Sequence, residues 1–386
     1  MKRLIICLYA LFIVFPALSQ ENIAITHGPY LQHVGETGAT IVWTTNKDAV
    51  SWVELAPDDN THFYQEERPK FFAAPYGFKQ IGKTHAVRLE NLKLGTTYRY
   101  RVYSQEVLDY QGIHVTYGRV AATAIYRSRP LEFTTFDHTK KDVSFVVVND
   151  IHGNNALLSS LLKTADYENA DLIFFNGDMV NDLRSEQQMF DGFMDTAIQI
   201  FAKEKPMFYA RGNHETRGVF ANAFPQYFPS PDGKLYYLVR QGPVCFVVMD
   251  CGEDKPDSDI EYSGIVAFDA YRDAQKQWLE KALKEEMFVS APIKVAIIHM
   301  PPFGGWHGEL DVLKKFVPPL NEAGIDVMLC GHLHRYVTAE PNENVNFPVI
   351  VNANTTVVKA YTEGGKLFIK ILNDKGATVD SFVFGK

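Results

Sequence analysis

The fold that the sequence predicts is an all-β sandwich followed by an α/β layered domain. Three observations predict it. From Ile23 to about Phe136, short β-branched and aromatic runs alternate with turn residues at short, regular intervals. From Val143 onward, continuous apolar runs are separated by stretches with helical spacing. Between them lies a polar, charged linker, Asp137 to Asp142, where the pattern changes. At 386 residues the chain is long for one domain and comfortable for two.

In the first part, Ala39-Thr40-Ile41-Val42-Trp43-Thr44-Thr45 and Ser51-Trp52-Val53-Glu54-Leu55 read as strands. Thr84 to Leu89 and Tyr98 to Tyr103 alternate as half-buried strands do. Ser104 to Arg129 fits no clean strand pattern and reads as a long, Tyr-rich excursion. Leu92-Lys93-Leu94-Gly95-Thr96-Thr97-Tyr98 resembles the tyrosine corner of fibronectin type III domains, in which a Tyr hydroxyl bonds back to upstream backbone. Gly28-Pro29-Tyr30-Leu31-Gln32 resembles the opening of the N-terminal domain of purple acid phosphatases. Residues 22–136 are therefore expected to form that sandwich.

In the second part, Val143 to Val148 is an apolar run suited to a strand buried on both faces, and Ala156 to Leu162 has helical spacing. Further buried strands are expected at Leu172 to Phe175, Met207 to Ala210, Cys245 to Met249, Val295 to Ile298 and Val327 to Cys330. Helices are expected near 186–203, 274–287 and 309–323, and strands without helices from Val349 to Phe384. Residues 142–386 thus read as one α/β domain.

Bulk composition excludes some classes. With 46% apolar and 22% charged residues the chain is ordinary globular material, not disordered or fibrous. Residues 1–19 read as a signal peptide: Lys2 and Arg3, an apolar run from Leu4 to Phe15, then Ala17-Leu18-Ser19. That run is short for a membrane span and no second one follows, so an exported protein, periplasmic or extracellular, without stable membrane insertion is expected. Cleavage leaves 36 basic against 46 acidic side chains, a net charge of −10. Such a chain gains nothing from counterion release, so nucleic acid is not an expected partner. Cys245 and Cys251 bracket one extended run, too far apart to bond, and buried free thiols are expected.

Five polar clusters each follow directly on an apolar run: Asp150-Ile151-His152, Gly177-Asp178, Gly212-Asn213-His214-Glu215, His299-Met300-Pro301-Pro302 and Gly331-His332-Leu333-His334. In open α/β sheets, loops beyond the carboxyl ends of strands converge, and ligands bind there. Five loops would bring two Asp, one Asn and four His to one rim, too many for one cation and suited to two sharing a bridge. Mixed carboxylate, amide and imidazole ligation fits Zn, Mn, Fe or Co.

These motifs resemble the binuclear metallophosphoesterase, or calcineurin-like phosphoesterase, superfamily, with an αββα-type domain. The N-terminal sandwich makes the chain look like a purple acid phosphatase relative. The resemblance implies that Asp150, His152 and His334 hold one transition-metal ion, that Asn213, His299 and His332 hold another, and that Asp178 bridges them. Purple acid phosphatases carry Gly in place of His152 and Tyr in place of Asn181. The phenolate that colours them therefore has no counterpart at position 181, and no preference for Fe(III) is implied.

The chemistry these positions permit is hydrolysis of a small phosphorylated substrate. Two cations would supply hydroxide from water near neutral pH and offset charge on the phosphoryl oxygens. His214 is free of ligand duty and is assigned as general acid. Glu215 either orients His214 or faces solvent; both readings stand. Arg217 and His307, the latter in the glycine-rich stretch Gly304 to Gly308, are candidate substrate contacts. Phosphomonoesters are the first reading, phosphodiesters the second, and a catalytically silent metal-binding scaffold the third. The sandwich reads as a packing partner, with a glycan- or protein-binding module as the alternative.

Overall fold

The structure, a computed structural model, describes residues 21–124 and 128–385. The leader expected at residues 1–19 lies outside them. Among the described residues no helix is long and apolar enough to cross a membrane.

A strand-rich N-terminal region precedes a mixed α/β domain. Its backbone is the 19-residue strand Ala39–Pro57, where two separate strands were expected. The first half of this strand pairs with Ile25–Gln32 and Ile81–Leu89, and the second half with Thr97–Gln111 and Lys70–Phe72. Trp43, fully buried, donates from Nε1 to Ser104 Oγ (2.9 Å), joining the two groups of strands. Tyr98 accepts from the Lys93 amide (3.0 Å), so its hydroxyl does reach back to upstream backbone.

The expected excursion at Ser104 to Arg129 is instead mostly a hairpin. Thr97–Gln111 pairs antiparallel with His114–Ala122 around Gly112. Irregularities between Gln105 and Val107 and again between Val107 and Asp109 interrupt the side-chain alternation, which hides the strand in the sequence.

The α/β domain stacks two sheets. In the first, Ser144–Val148, Leu172–Asn176 and Met207–Ala210 run parallel, flanked by the antiparallel strands Thr356–Glu363, Lys366–Asn373 and Thr378–Phe384. In the second, Val244–Val248, Ile293–Ile297, Val327–Cys330 and Val349–Val351 run parallel, with antiparallel edges. The period-2 alternation of strands explains why these runs are apolar throughout. Phe145, Val147, Phe174 and Phe208 face Phe246, Val295, Ile297 and Leu329 in the core between the sheets. Val146, Val148, Ile173 and Phe175 point outward to helices bearing Leu158, Leu161, Phe190 and Phe193. Cys245, Val247, Ala296 and Met328 point to the opposite helical layer, with Leu279, Phe316 and Leu320. The cysteines Cys245, Cys251 and Cys330 are buried and free.

Helix Asn155–Thr164 starts at Asn154, whose side chain accepts from the Leu157 amide. The helical segments at 186–202 and 307–323 alternate α and π turns. The helix expected at 274–287 is Phe268–Ala282, beginning six residues earlier. Its start is capped from a distance: Asp257 accepts from the Phe268 and Asp269 amides, a contact no local pattern announces.

The two regions share one sheet. Ile25–Gln32 runs parallel beside Met207–Ala210, in register at Gln32 and Met207. Tyr30 donates to Tyr227 O (2.8 Å) and Tyr100 to Lys203 O (2.7 Å), and Asp137 N donates to Gln241 Oε1 (2.8 Å). The parallel strands of both sheets end toward one rim. Asn176 Nδ2 reaches across from the first sheet to Ile298 O (3.3 Å) and Leu329 O (3.1 Å) on the second.

Candidate metal centre

That crossing brings the five loops together. Asp150 N donates to Gly177 O (3.0 Å), His152 N to Asp178 O (3.1 Å) and Gly331 N to His299 O (2.9 Å), so each loop hangs on its neighbour. Asp150, His152, Asp178, His332 and His334 all have positive φ, between 50° and 72°. Non-glycine residues adopt this conformation seldom, and it persists where surrounding contacts impose it. Here it turns five polar side chains back over the strand ends they follow.

Close approach fixes three glycines. A Cβ on Gly212 would stand 2.2 Å from Asp178 Oδ1, one on Gly177 2.5 Å from His299 Nδ1, and one on Gly331 2.7 Å from Asp150 Oδ2. The glycines in these motifs are there because the loops touch.

Two groups of ligand atoms result, each within 4.8 Å of one another: Asp150, His152, Asp178 and His334; and Asp178, His299 and His332. Asp178 belongs to both. Its Oδ2 lies 3.0 Å from His299 Nε2, while Oδ1 accepts from the His214 amide (3.0 Å). Asp150 Oδ1 lies 3.1 Å from His334 Nε2, and His152 Nε2 lies 3.0 Å from His334 Nε2. Asn213 Oδ1 faces His332 Nδ1 at 3.1 Å. All seven residues expected as ligands are thus in one cluster.

Whether this cluster suits cations can be judged from its own atoms. Asp150 Oδ1 and His299 Nε2 are buried without a hydrogen-bond partner. His299 is held by Nδ1–H donating to Asn176 O (2.7 Å), which turns Nε2 toward Asp178. His152 Nδ1 is likewise held by Asn181 Oδ1 (2.9 Å). Burial would raise the Asp150 and Asp178 carboxyls, but the facing imidazoles hold both below the ordinary range. Burial would lower His299, yet Asp178 and Asp150 raise it to about 10. The carboxylates therefore concentrate positive charge at this point, and the donor set fits metal ions.

Glu215 neither faces solvent nor bonds the His214 ring. It is fully buried, and burial raises its carboxyl. Oε2 accepts from the Asp178 and Gly212 amides (2.9 and 3.0 Å), and Oε1 from the Met179 amide and the Tyr209 hydroxyl (2.7 and 2.9 Å). It ties the Asp178 loop to the Gly212 loop. His214 instead donates from Nδ1 to Asn181 O (2.6 Å), with Nε2 3.8 Å from Asp178 Oδ2. Burial lowers its pKa from the ordinary imidazole value.

Arg217 and His307 do not stand as open substrate contacts. Arg217 pairs with Glu253 (2.7 Å) and Asp254 (3.2 Å), and its Nη1 rests 3.3 Å from His214 Nε2. Its charge is already matched by two carboxylates. His307 turns to Asp269 (2.6 Å) at the start of a helix. Asp269, His307 and Asp311 form a third close group, but Arg272 and Lys315 neutralise it.

Three residues near the ligands were missed. Asp254, pushed up to about 6 by burial and by Glu253, accepts from Asn213 Nδ2 (3.2 Å). Asn149 donates to Asp150 Oδ2 (2.6 Å). Glu309, fully buried, places Oε1 3.5 Å from His332 Nε2 while Oε2 caps the Gly305 and Trp306 amides. An acid three residues into a helix reads as a cap, so its second role carries no sequence signal.

The calcineurin-like phosphoesterase family matches residues 143–336, the span that carries all seven of these residues. The chain belongs to this family. Purple acid phosphatase 22 of Arabidopsis thaliana is 24% identical over 279 residues, 68% of this chain and 55% of that protein. Purple acid phosphatase 18 of the same plant is 21% identical over 335 residues, 82% of this chain and 67% of that protein. The aligned region therefore spans little more than half of the first of these two relatives. Purple acid phosphatase PPD1 from yellow lupin (Lupinus luteus) seeds superposes with a TM-score of 0.64 at 16% identity, covering 92% of this chain and 74% of that one. At that identity the likeness concerns the fold, a strand-rich region followed by a calcineurin-like phosphoesterase domain.

Glu215→Gln should destabilise the protein by about 3 kcal/mol, since an amide offers one acceptor where two oxygens now take four donors. Chemical denaturation measures this, and an unchanged midpoint would refute the clamp.

Proposed function

We propose that the protein is an exported, binuclear metal-dependent phosphoesterase acting on phosphate esters, monoesters before diesters. The observation that carries this reading is the sharing of Asp178 between two ligand groups. Asp150, His152 and His334 would hold one ion, Asn213, His299 and His332 the other, with Asp178 between them. Two transition-metal ions of the Zn, Mn, Fe or Co class would supply Lewis acidity and activation of water for attack at phosphorus. The name phosphatase borne by both plant relatives supports the monoester preference.

The chain's own residues prepare this chemistry in three ways. Asn176 and Asn181 hold Nδ1 of His299 and His152, so that Nε2 of each is the atom turned inward, where it would bind an ion. Glu215 fixes Asp178 relative to Asn213 through backbone amides. His214, anchored at Nδ1 by the Asn181 carbonyl, has Nε2 turned to the Asp178 side of the site, where it would deliver a proton to the departing oxygen. Residues 142–386 would form the catalytic domain and 22–136 a packing partner, a role for the latter supported by the contacts at Gln32, Tyr30 and Tyr100.

Export rests on the basic and apolar pattern of residues 1–19. N-terminal sequencing of the mature protein should begin just after Ser19; an intact Met1 on protein recovered from the cell interior would refute export.

Wild-type protein should hydrolyse nitrophenyl phosphate faster than bis(nitrophenyl) phosphate. Asp178→Asn should lose at least one metal equivalent and nearly all turnover on both, because the shared charge is gone. Full metal content with unchanged turnover in that variant would sink the bridging role.

His214→Ala should keep both metals yet slow alkyl phosphates by about 10²–10⁴-fold, the usual worth of general-acid catalysis. Aryl phosphates, whose leaving phenolate needs little protonation, should slow clearly less. Equal losses on both substrates would leave His214 a phosphate-positioning group.

A further inference from the structure

A cavity of about 390 Å³ lies between the N-terminal strands and the edge of the second sheet. It shares no residue with the metal cluster. One wall is the turn His33–Gly38 and Arg88; the other is Tyr237–Arg240 with Trp278. The volume falls in the range of small-molecule sites, which favour junctions between structural units.

Its floor is aromatic and rigid. The Tyr237 hydroxyl donates to Tyr209 O (2.9 Å) and accepts from Tyr209 N (3.0 Å), which fixes the ring. Trp278 packs on Tyr236 with ring centroids 4.8 Å apart. The His33 ring stands edge-on to Tyr237, centroids 4.3 Å apart, and its nitrogens have no hydrogen-bond partner among the described residues. Burial, with Arg88 nearby, lowers its pKa to about 3, so it faces the cavity as a neutral imidazole.

The charged groups are more telling. Arg99, Arg211, Arg217 and Arg272 each hold a carboxylate. Arg88, half-buried, forms no ion pair among the described residues, although the Glu90 charge acts on it from nearby; its hydrogen bonds go to neutral oxygens, Nη1 donating to His33 O (2.9 Å) and Thr40 Oγ1 (3.3 Å). Arg240 also bonds only neutral oxygens, those of Gly242, Met287 and Ser290. Two guanidinium groups without a carboxylate partner therefore line one aromatic cavity. A sheltered guanidinium favours a planar anion that it can meet with two N–H groups. Glu36, Asp232 and Glu285 also line the cavity, and they would repel a second negative charge on a ligand.

We propose that this cavity binds a small, singly charged organic anion with a flat apolar body, an aromatic carboxylate. Its carboxylate sits on Arg88 and its ring lies against Trp278 and Tyr237. The His33 imidazole supplies a neutral hydrogen-bonding edge. Because the ligand contacts both regions of the chain, its binding stabilises their junction.

Naphthalene-2-carboxylate is a suitable probe, titrated into the metal-loaded protein by calorimetry and tryptophan fluorescence. Saturating inorganic phosphate in the buffer keeps the carboxylate off the metal centre. At a typical efficiency for roughly 13 heavy atoms, one site with a Kd on the order of 1 mM or tighter is expected. The dianionic naphthalene-2,6-dicarboxylate, which a phosphoesterase does not hydrolyse, and neutral naphthol should bind at least about tenfold more weakly. Arg88→Gln should raise Kd at least about tenfold, and Trp278→Leu should do the same while removing the fluorescence response. The melting temperature should rise with probe concentration in the wild-type protein. Should Arg88→Gln fail to fold through loss of its bond to His33, Arg88→Lys and Trp278→Leu decide the matter, each weakening binding if the site is real. Absence of saturable binding up to about 10 mM in the phosphate buffer, or unaltered affinity in the folded variants, overturns the proposal.

Discussion

A single buried carboxylate sets the geometry of the metal cluster. Glu215 takes three amide donors from the loops that leave two strands, Leu172–Asn176 and Met207–Ala210, and a fourth from the Tyr209 hydroxyl on the second of them. Parallel strands place their loops at one end, but only to within the width of a loop. Three backbone amides converging on one carboxylate narrow that freedom to hydrogen-bond tolerance. A buried charge with fewer partners would be costly, so this clamp is kept complete by the Tyr209 hydroxyl.

The same logic runs outward from Glu215. Asn176 spans the two sheets, Asn352 donates to Asn149 Oδ1 while Asn149 donates to Asn352 O and to Asp150, and Asp254 holds Asn213. Neutral amides suit this task because each offers donor and acceptor without adding charge to an anionic cluster. The strained backbone of five candidate ligand residues is the counterpart. Left-handed conformations at Asp150, His152, Asp178, His332 and His334 persist because neighbouring loops hold them from several sides.

The N-terminal strands enter this scheme as structure. They extend the first sheet beside Met207–Ala210, the strand that leads into the Gly212 loop. Tyr30 and Tyr100 bond backbone carbonyls on the far side of that junction. What is packed at the edge of the strand thus supports the loop at its end. The aromatic cavity occurs where the two surfaces part.

Much of this was legible in the amino-acid order. Apolar runs at Val143, Leu172, Met207, Val295 and Val327 could only be strands buried on both faces, and each ended in a polar motif. Period-2 geometry and the rule that loops gather at strand ends were enough to assemble seven ligands in expectation. The Ser104 hairpin was hidden because its irregular pairing breaks the alternation that a reader counts. The start of Phe268–Ala282 was hidden because its cap comes from Asp257, eleven residues before it. Glu215, Glu309, Arg217 and His307 were ambiguous for a deeper reason. A charged side chain in a loop has the same local sequence whether it meets water, a substrate or a buried amide. Sequence by itself determined which residue types gather at the rim and in what order, since that follows from short-range periodicity. Tertiary structure alone decided which charges are satisfied and by whom, since partners such as Asp178 for Glu215, Glu253 for Arg217 and Asp269 for His307 come from other elements of the fold.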